Sequence, residues 1–203
     1  MILAIDPGTS KSAFISLTDG QPCSYDWVDN QLLLDSLYGR TVGNNKVQII
    51  VGLLAGVVIE DITSYGMPVG RDVFTTVRWT GRFEEACAQQ GLPVTYIPRK
   101  DAMLNLCGSA RGNDATLRQA IIDRHGGDEV AIGGKKCFTC KGKGWVGKGR
   151  PPCPDCEKQL YQIDGEEIER GSGYQTPPGV LKGISGHVWS ALGVGLTYLD
   201  TLK

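Results

Sequence analysis

The sequence predicts an α/β protein, with one mixed β-sheet flanked by helices and a small metal-binding insertion. Three observations carry this. Short apolar runs broken by turn residues fill the first sixty positions, which reads as strands. Apolar residues recur at helical spacing between 71 and 91 and again near the carboxyl end. Four cysteines stand in two Cys-x-x-Cys pairs with twelve residues between them. With 203 residues, 41% of them hydrophobic, the chain can bury a real core as one domain with an elaboration.

The elements follow in order. "MILAID" is a strand that runs into the Pro7-Gly8 turn, "SAFISL" is a second, and "PCSYDWV" returns as a third after a hairpin at Asp19-Gly20. "NQLLLDSL" is a helix with Asn30 as its expected cap. "VQIIV" and "GVVIED" are strands, the second too apolar for a sheet edge. "GRDVFTTVRWTGRFEEACAQQG" is a helix that stops at Gly91, and "LPVTYIP" is a strand. "RKDAMLNL" and "NDATLRQAIIDRHGG" are helices, and "GHVWSALGVGLTYLDTL" is the last one. Residues 1–130 plus 165–203 are expected to form the core, and 131–164 the insertion.

A net charge of −1 gives no general attraction to polyanions, so any such contact must come from local patches. Met1 leads straight into strand-like sequence, and the apolar stretch from Ile49 is too short to span a bilayer. A cytoplasmic protein without a membrane partner is expected.

Cys137, Cys140, Cys153 and Cys156 form two knuckles, each turning a pair of thiolates toward one point. Together they make a closed tetrahedral site for one structural Zn2+. Cys23, Cys87 and Cys107 are scattered and read as small reduced core residues. Between Lys135 and Arg150 there are six basic residues besides a central Trp145 if both ends are counted, and no acid. Basic groups around an aromatic on a rigid knob suit a phosphate backbone and an unstacked base, which makes Lys141, Lys143, Trp145 and Lys148 candidate DNA-binding residues.

Asp6 ends the first strand and Glu60 ends the apolar "GVVIED" strand. Neighbouring carboxylates at strand tips repel unless a cation lies between them. Mg2+ (or Mn2+) takes such oxygen ligands, and two ions about 3.5–4 Å apart can activate water and hold the leaving oxygen in phosphodiester cleavage.

"ILAIDPGTSKSAF" resembles the first motif of RuvC-type Holliday-junction resolvases, and "VVIEDITSYGMPVG" resembles the second, most of all in bacteriophage members. "GSARGNDATLRQAIIDRHG" and "GISGHVWSALGVGLTYLD" are similar to the later motifs. The resemblance implies an RNase H-like fold and a homodimer that nicks four-way or other branched DNA with two metal ions, and no small-molecule substrate. It implies Asp6, Glu60 and His187 as metal ligands. Ser190 falls where many members carry a fourth carboxylate, and Asp61 or Asp114 is the candidate replacement, with Asp114 taken into the catalytic set. Arg111 and Arg118 are implied near DNA, and the helix after Glu60 in the dimer, where Val73, Val77 and Trp79 either supply the apolar part of that face or belong to the core. The family's usual core has no four-cysteine insertion, so the resemblance gives that segment no role.

Three other readings share these features, one of them a metal-dependent nuclease with another target, such as RNA or a flap. The Asp-x-Gly-Thr turn also resembles the phosphate-binding turn of the actin and sugar-kinase class, but the chain shows no second turn of that kind. A non-catalytic zinc-ribbon nucleic-acid-binding module on the same fold is the main alternative, favoured by the serine at 190.

Overall fold

In the computed structural model, residues 1–40, 49, 51–64, 66, 68–147, 149, 151–156, 158–163, 166–174 and 178–203 are described. They fall into two compact units, Met1–Ile121 with Ile184–Lys203, and Ile122–Gly183.

The first unit is built on a five-stranded sheet. Strands β1 (Ile2–Asp6), β2 (Lys11–Thr18) and β3 (Gln21–Asp29) form an antiparallel meander, and β4 (Gly56–Asp61) and β5 (Val94–Pro98) add in parallel on the other side. The order is β3-β2-β1-β4-β5, so β1 and β4 are interior, as their apolar sequences require. Asp19 and Gly20, both at positive φ (52° and 79°), turn the β2–β3 hairpin. The predicted "VQIIV" strand lies mostly outside the described residues, and Val51–Leu53 is a short 3-10 turn.

Alternation along the interior strands sorts their side chains into two layers. Leu3 and Ile5 of β1, with Val57 and Ile59 of β4, enter a core shared with Leu33 and Leu37 of α1 (Asn30–Leu37) and Phe83 and Ala86 of α2 (Arg71–Gln89). The opposite face carries α3 (Arg99–Cys107) and α5 (Val188–Thr201), with α5 lying against β1, β2 and β4. The small residues of α5 make this approach possible. A Cβ at Gly195 would stand 2.7 Å from Leu17 Cδ1 and 3.0 Å from Ala4 Cβ. Helix α4 (Asp114–Arg124) completes the set.

Asn30 does not cap α1. Its side chain is buried, accepts from Ser12 Oγ at 2.6 Å and donates to the Gly8 carbonyl at 2.9 Å. It fastens the loop after β1 instead, a polar bond inside the fold taking precedence over an exposed cap. Among the scattered cysteines, Cys87 is buried, Cys107 is half-buried, and Cys23 is exposed because its side of the edge strand β3 is uncovered.

The second unit holds a π-helical turn (Asp128–Ile132), the cysteine cluster and a two-stranded hairpin, β6 (Lys158–Ile163) and β7 (Glu166–Gly171). The hairpin's pattern is weak in sequence, with a Glu-rich second strand. Among the described residues, no helix is long and apolar enough to cross a membrane.

Candidate active site

The parity that fills the core also places the acids. Asp6 continues the Ile2–Ala4 row of β1, and Glu60 continues the Gly56–Val58 row of β4, so both face the α5 side. They stand one residue beyond the Ile5–Ile59 pair, on adjacent strands. Asp61 points the other way, into a recess lined with Thr80 and Glu84 of α2 and Tyr96 of β5. Asp61 therefore lies on the opposite face of the sheet from Asp6 and Glu60.

Behind Asp6 the chain turns tightly. The Gly8 backbone N–H donates to Ser12 Oγ at 3.2 Å, and a Cβ at Gly8 would lie 2.2 Å from the Lys11 carbonyl oxygen. Only glycine fits this approach, and with Asn30 it holds the strand tip still.

His187 immediately precedes α5. Its side chain makes no capping bond; Nδ1 lies 3.2 Å from Asp6 Oδ2. The ring leans against Trp27, with centroids 5.9 Å apart. Trp27 is 51% exposed, with Lys11 Nζ 5.0 Å from its ring centre. The Asp6–Ala13–Trp27 row across three strands sets this neighbourhood.

Asp114 begins α4, but Asn113 accepts the capping bond from the Thr116 N–H at 3.0 Å. Asp114 instead pairs with Arg99. The same guanidinium donates to Ser190 Oγ at 3.0 Å and lies 3.8 Å from Glu60 Oε1. Asp6, Glu60, His187, Asp114 and Ser190 thus belong to one neighbourhood. Arg99, Trp27 and Lys11 join it and were not singled out from sequence. Strand pairing brings Arg99 in: Glu60 pairs with Ile97, and Arg99 begins α3 directly after β5.

Glu60 is only 8% exposed, and its Oε2 has no hydrogen-bond partner. Burial pushes the carboxyls of both Asp6 and Glu60 up to about 7. For Asp6, Arg99 opposes the rise and Asp114 adds to it. For Glu60, the Asp6 charge adds to burial, with Arg99 opposing. A buried acid pair with an orphaned oxygen and an imidazole at hand fits a hard divalent cation.

This gives a pH test. Without a cation, the raised values make both protonated acids a stabilising contribution that is full below their ordinary values and is lost as pH rises through about 7. Magnesium is expected to raise the melting temperature at pH 8 and to have little effect at pH 5. An equal shift at both pH values in thermal melts would count against the site.

Two recesses open beside His187. One, of about 240 Å³, is lined by Asp6, Gly8, Lys11 and Trp27, and the other, of about 470 Å³, by Asp114, Arg118, Ser185 and Ser190. Arg118 lies over the Trp189 ring at 5.4 Å, and Arg111 is exposed.

In the second unit, the four cysteine sulfurs lie within 4.8 Å of one another and are buried. The Cys137–Cys153 and Cys140–Cys156 sulfurs are 3.8 and 3.4 Å apart. Tetrahedral zinc, with Zn–S near 2.3 Å, spaces its sulfurs by about 3.8 Å, so the cluster suits that ion. The Gly144 N–H donates to Cys140 Sγ at 3.3 Å. Lys141 and Lys143 are exposed, whereas Trp145 is half-buried and its backbone bridges to Pro152. Lys148 lies outside the described residues. The openly displayed aromatic is Phe138, 86% exposed on the first knuckle.

No family model matches the chain, and no curated protein matches it. Solved structures do. The RuvC structure of Thermus thermophilus matches with a TM-score of 0.54 at 11% identity, covering 99% of this chain and 94% of that one. The fold is that of RuvC. T. thermophilus RuvC in complex with a Holliday junction substrate matches with a TM-score of 0.51 at 11% identity, covering 99% and 93%. The mixed sheet and flanking helices are thus RNase H-like, with the four-cysteine cluster as a zinc-compatible insertion. Both of these structures come from a bacterium and give no support to a bacteriophage branch.

Proposed function

We propose that the protein is a structure-selective endodeoxyribonuclease that nicks four-way or other branched DNA with a divalent cation. The observation that carries this is the buried Asp6–Glu60 pair with its unpartnered Glu60 Oε2, on a RuvC fold. Asp6 and Glu60 would hold magnesium or manganese, with His187 as the third ligand. The ion supplies Lewis acidity and an activated water at a scissile phosphate. The residues supply the rest. The Asn30–Gly8 tie and the sheet keep the two carboxylates fixed, Lys11 and Trp27 border the site for the DNA strand, and Arg111 and Arg118 meet phosphates further out.

Homodimerisation through α2 belongs to the same reading. Phe74 and Val77 are exposed there, 56% and 47%. Trp79 instead stacks on Phe83, with centroids 6.0 Å apart, and packs at the core's edge. We place the activity in the cytoplasm, with the second unit holding one zinc ion and contacting nucleic acid through Lys141 and Lys143.

The test is cleavage of labelled four-way junction, linear duplex, single strand and RNA–DNA hybrid, with magnesium and with chelator. Paired symmetric nicks in the junction that need the metal are expected. Tight junction binding without cleavage would favour the binding-module alternative, for which Ser190 speaks. Equal cutting of all substrates would remove the branched-DNA specificity.

A further inference from the structure

Arg99 is the charged group that the proposed metal chemistry leaves unused. It follows β5 directly, and its guanidinium is shared among groups from three elements: Glu60 on β4, Asp114 on α4 and Ser190 on α5. A surface arginine ordinarily gains little from one exposed carboxylate. This one donates to Ser190, the position where the resemblance implies a carboxylate.

Charge determines what else the site can hold. Asp6, Glu60 and Asp114 face one guanidinium, which leaves two negative charges, and one divalent ion neutralises them. A second ion would leave the site doubly positive before any phosphate arrives. The donor set agrees. Beside Ser190, a second ion would find one hydroxyl already bonded to Arg99 and one carboxylate already paired with it. Magnesium keeps several waters but is still held by one or two carboxylates beside the substrate phosphate, and among the described residues on this side no carboxylate is left unpaired by Arg99. Away from Arg99, Glu60 Oε2 has no partner and Asp6 Oδ2 meets only the His187 imidazole, at 3.2 Å, a neutral ligand that can turn to an ion bound between them.

We propose that Arg99 is a built-in cation in the place of the second ion, so that each active site binds one divalent ion and uses the guanidinium to hold charge on the scissile phosphate. The inference rests on reading Asp6 and Glu60 as a metal site. Arginine suits the task because it is always charged and presents a planar fork to phosphate oxygens.

Removing the guanidinium then has effects of opposite sign. In Arg99→Gln the ion no longer competes with a fixed positive charge at Glu60, so it binds several-fold more tightly. Nicking nevertheless falls on the order of 10²–10³-fold, the usual cost of losing one donor to developing charge. A merely structural arginine would weaken both.

The experiment is a calorimetric titration of the zinc-loaded protein with Mn2+, without DNA, so that binding is counted apart from turnover. One Mn2+ per chain beyond the zinc is expected for the wild type, one bound more tightly for Arg99→Gln, and two for Arg99→Ala combined with Ser190→Asp. Two ions in the wild type, or weaker binding in Arg99→Gln, would overturn the role of Arg99 and leave the metal site standing. No Mn2+ binding at all would instead sink the Asp6–Glu60 site, and the inference with it. The single Gln variant decides the matter even if the double variant does not fold.

Discussion

Asp6→Asn and Glu60→Gln are each expected to abolish metal-dependent nicking, by on the order of a thousandfold or more, while leaving the fold intact. Each substitution keeps the shape of the side chain and removes the charge that holds the cation. An ion at a phosphoryl centre contributes several kcal/mol to the transition state, and every 1.4 kcal/mol or so is a factor of ten in rate. The fold should tolerate both changes well. Burial already disfavours the charged forms of these carboxyls, so neutral replacements relieve a cost and should raise the melting temperature of the ion-free protein at pH 8. The combination of higher stability and lost activity separates a functional acid pair from a structural one. Junction affinity measured in the presence of Ca2+, or without metal, should change little. Cleavage surviving in both variants would move the chemistry elsewhere in the molecule.

That pair was legible in sequence because its placement depends on local rules. An apolar strand that ends in an acid and a Pro-Gly turn presents the acid at a tip, and alternation then fixes the face. The same rule distinguishes Glu60 from Asp61, but only once β4 is known to lie beside β1. What sequence did not supply was the cross-strand and interhelical neighbourhood. Trp27 meets His187 through pairings across β1, β2 and β3. Arg99 meets Ser190 through contacts 91 positions apart in the chain. Asn30 looked like a cap because capping is a local pattern, yet its partners, Ser12 and Gly8, are brought to it by the meander. Local preference gave way wherever a buried polar bond was on offer.

The cysteine cluster shows the opposite case, where spacing alone sufficed. Two knuckles specify a site without reference to the rest of the fold, and the described sulfurs do converge. Spacing says less about the aromatics around it: Trp145 is half-buried with its backbone bridged to Pro152, while Phe138 stands exposed on the first knuckle.

The second large effect is expected at that cluster. Among the described residues of the second unit, the buried apolar positions besides the four cysteines are few: Ile122, Ala131 and Leu181. A small unit with few buried apolar side chains does not readily offset the conformational entropy of ordering its loops, and a structural metal is the usual substitute. Apparent binding of structural zinc is worth on the order of 10 kcal/mol, and here it would be folding free energy. Cys140→Ser, or Cys153→Ser, is therefore expected to take zinc content from about one per chain to near none. It should also open the segment between 126 and 183 to protease, while the Asp6–Glu60 site keeps its Mn2+ binding. If Lys141 and Lys143 reach phosphates from this unit, the same variants should flatten the salt dependence of junction binding by about two units of log–log slope, roughly one per lost phosphate contact. An unchanged slope with zinc gone would leave the cluster a structural role only. Reduced wild-type protein that carries no zinc, as measured by elemental analysis, would refute the metal assignment.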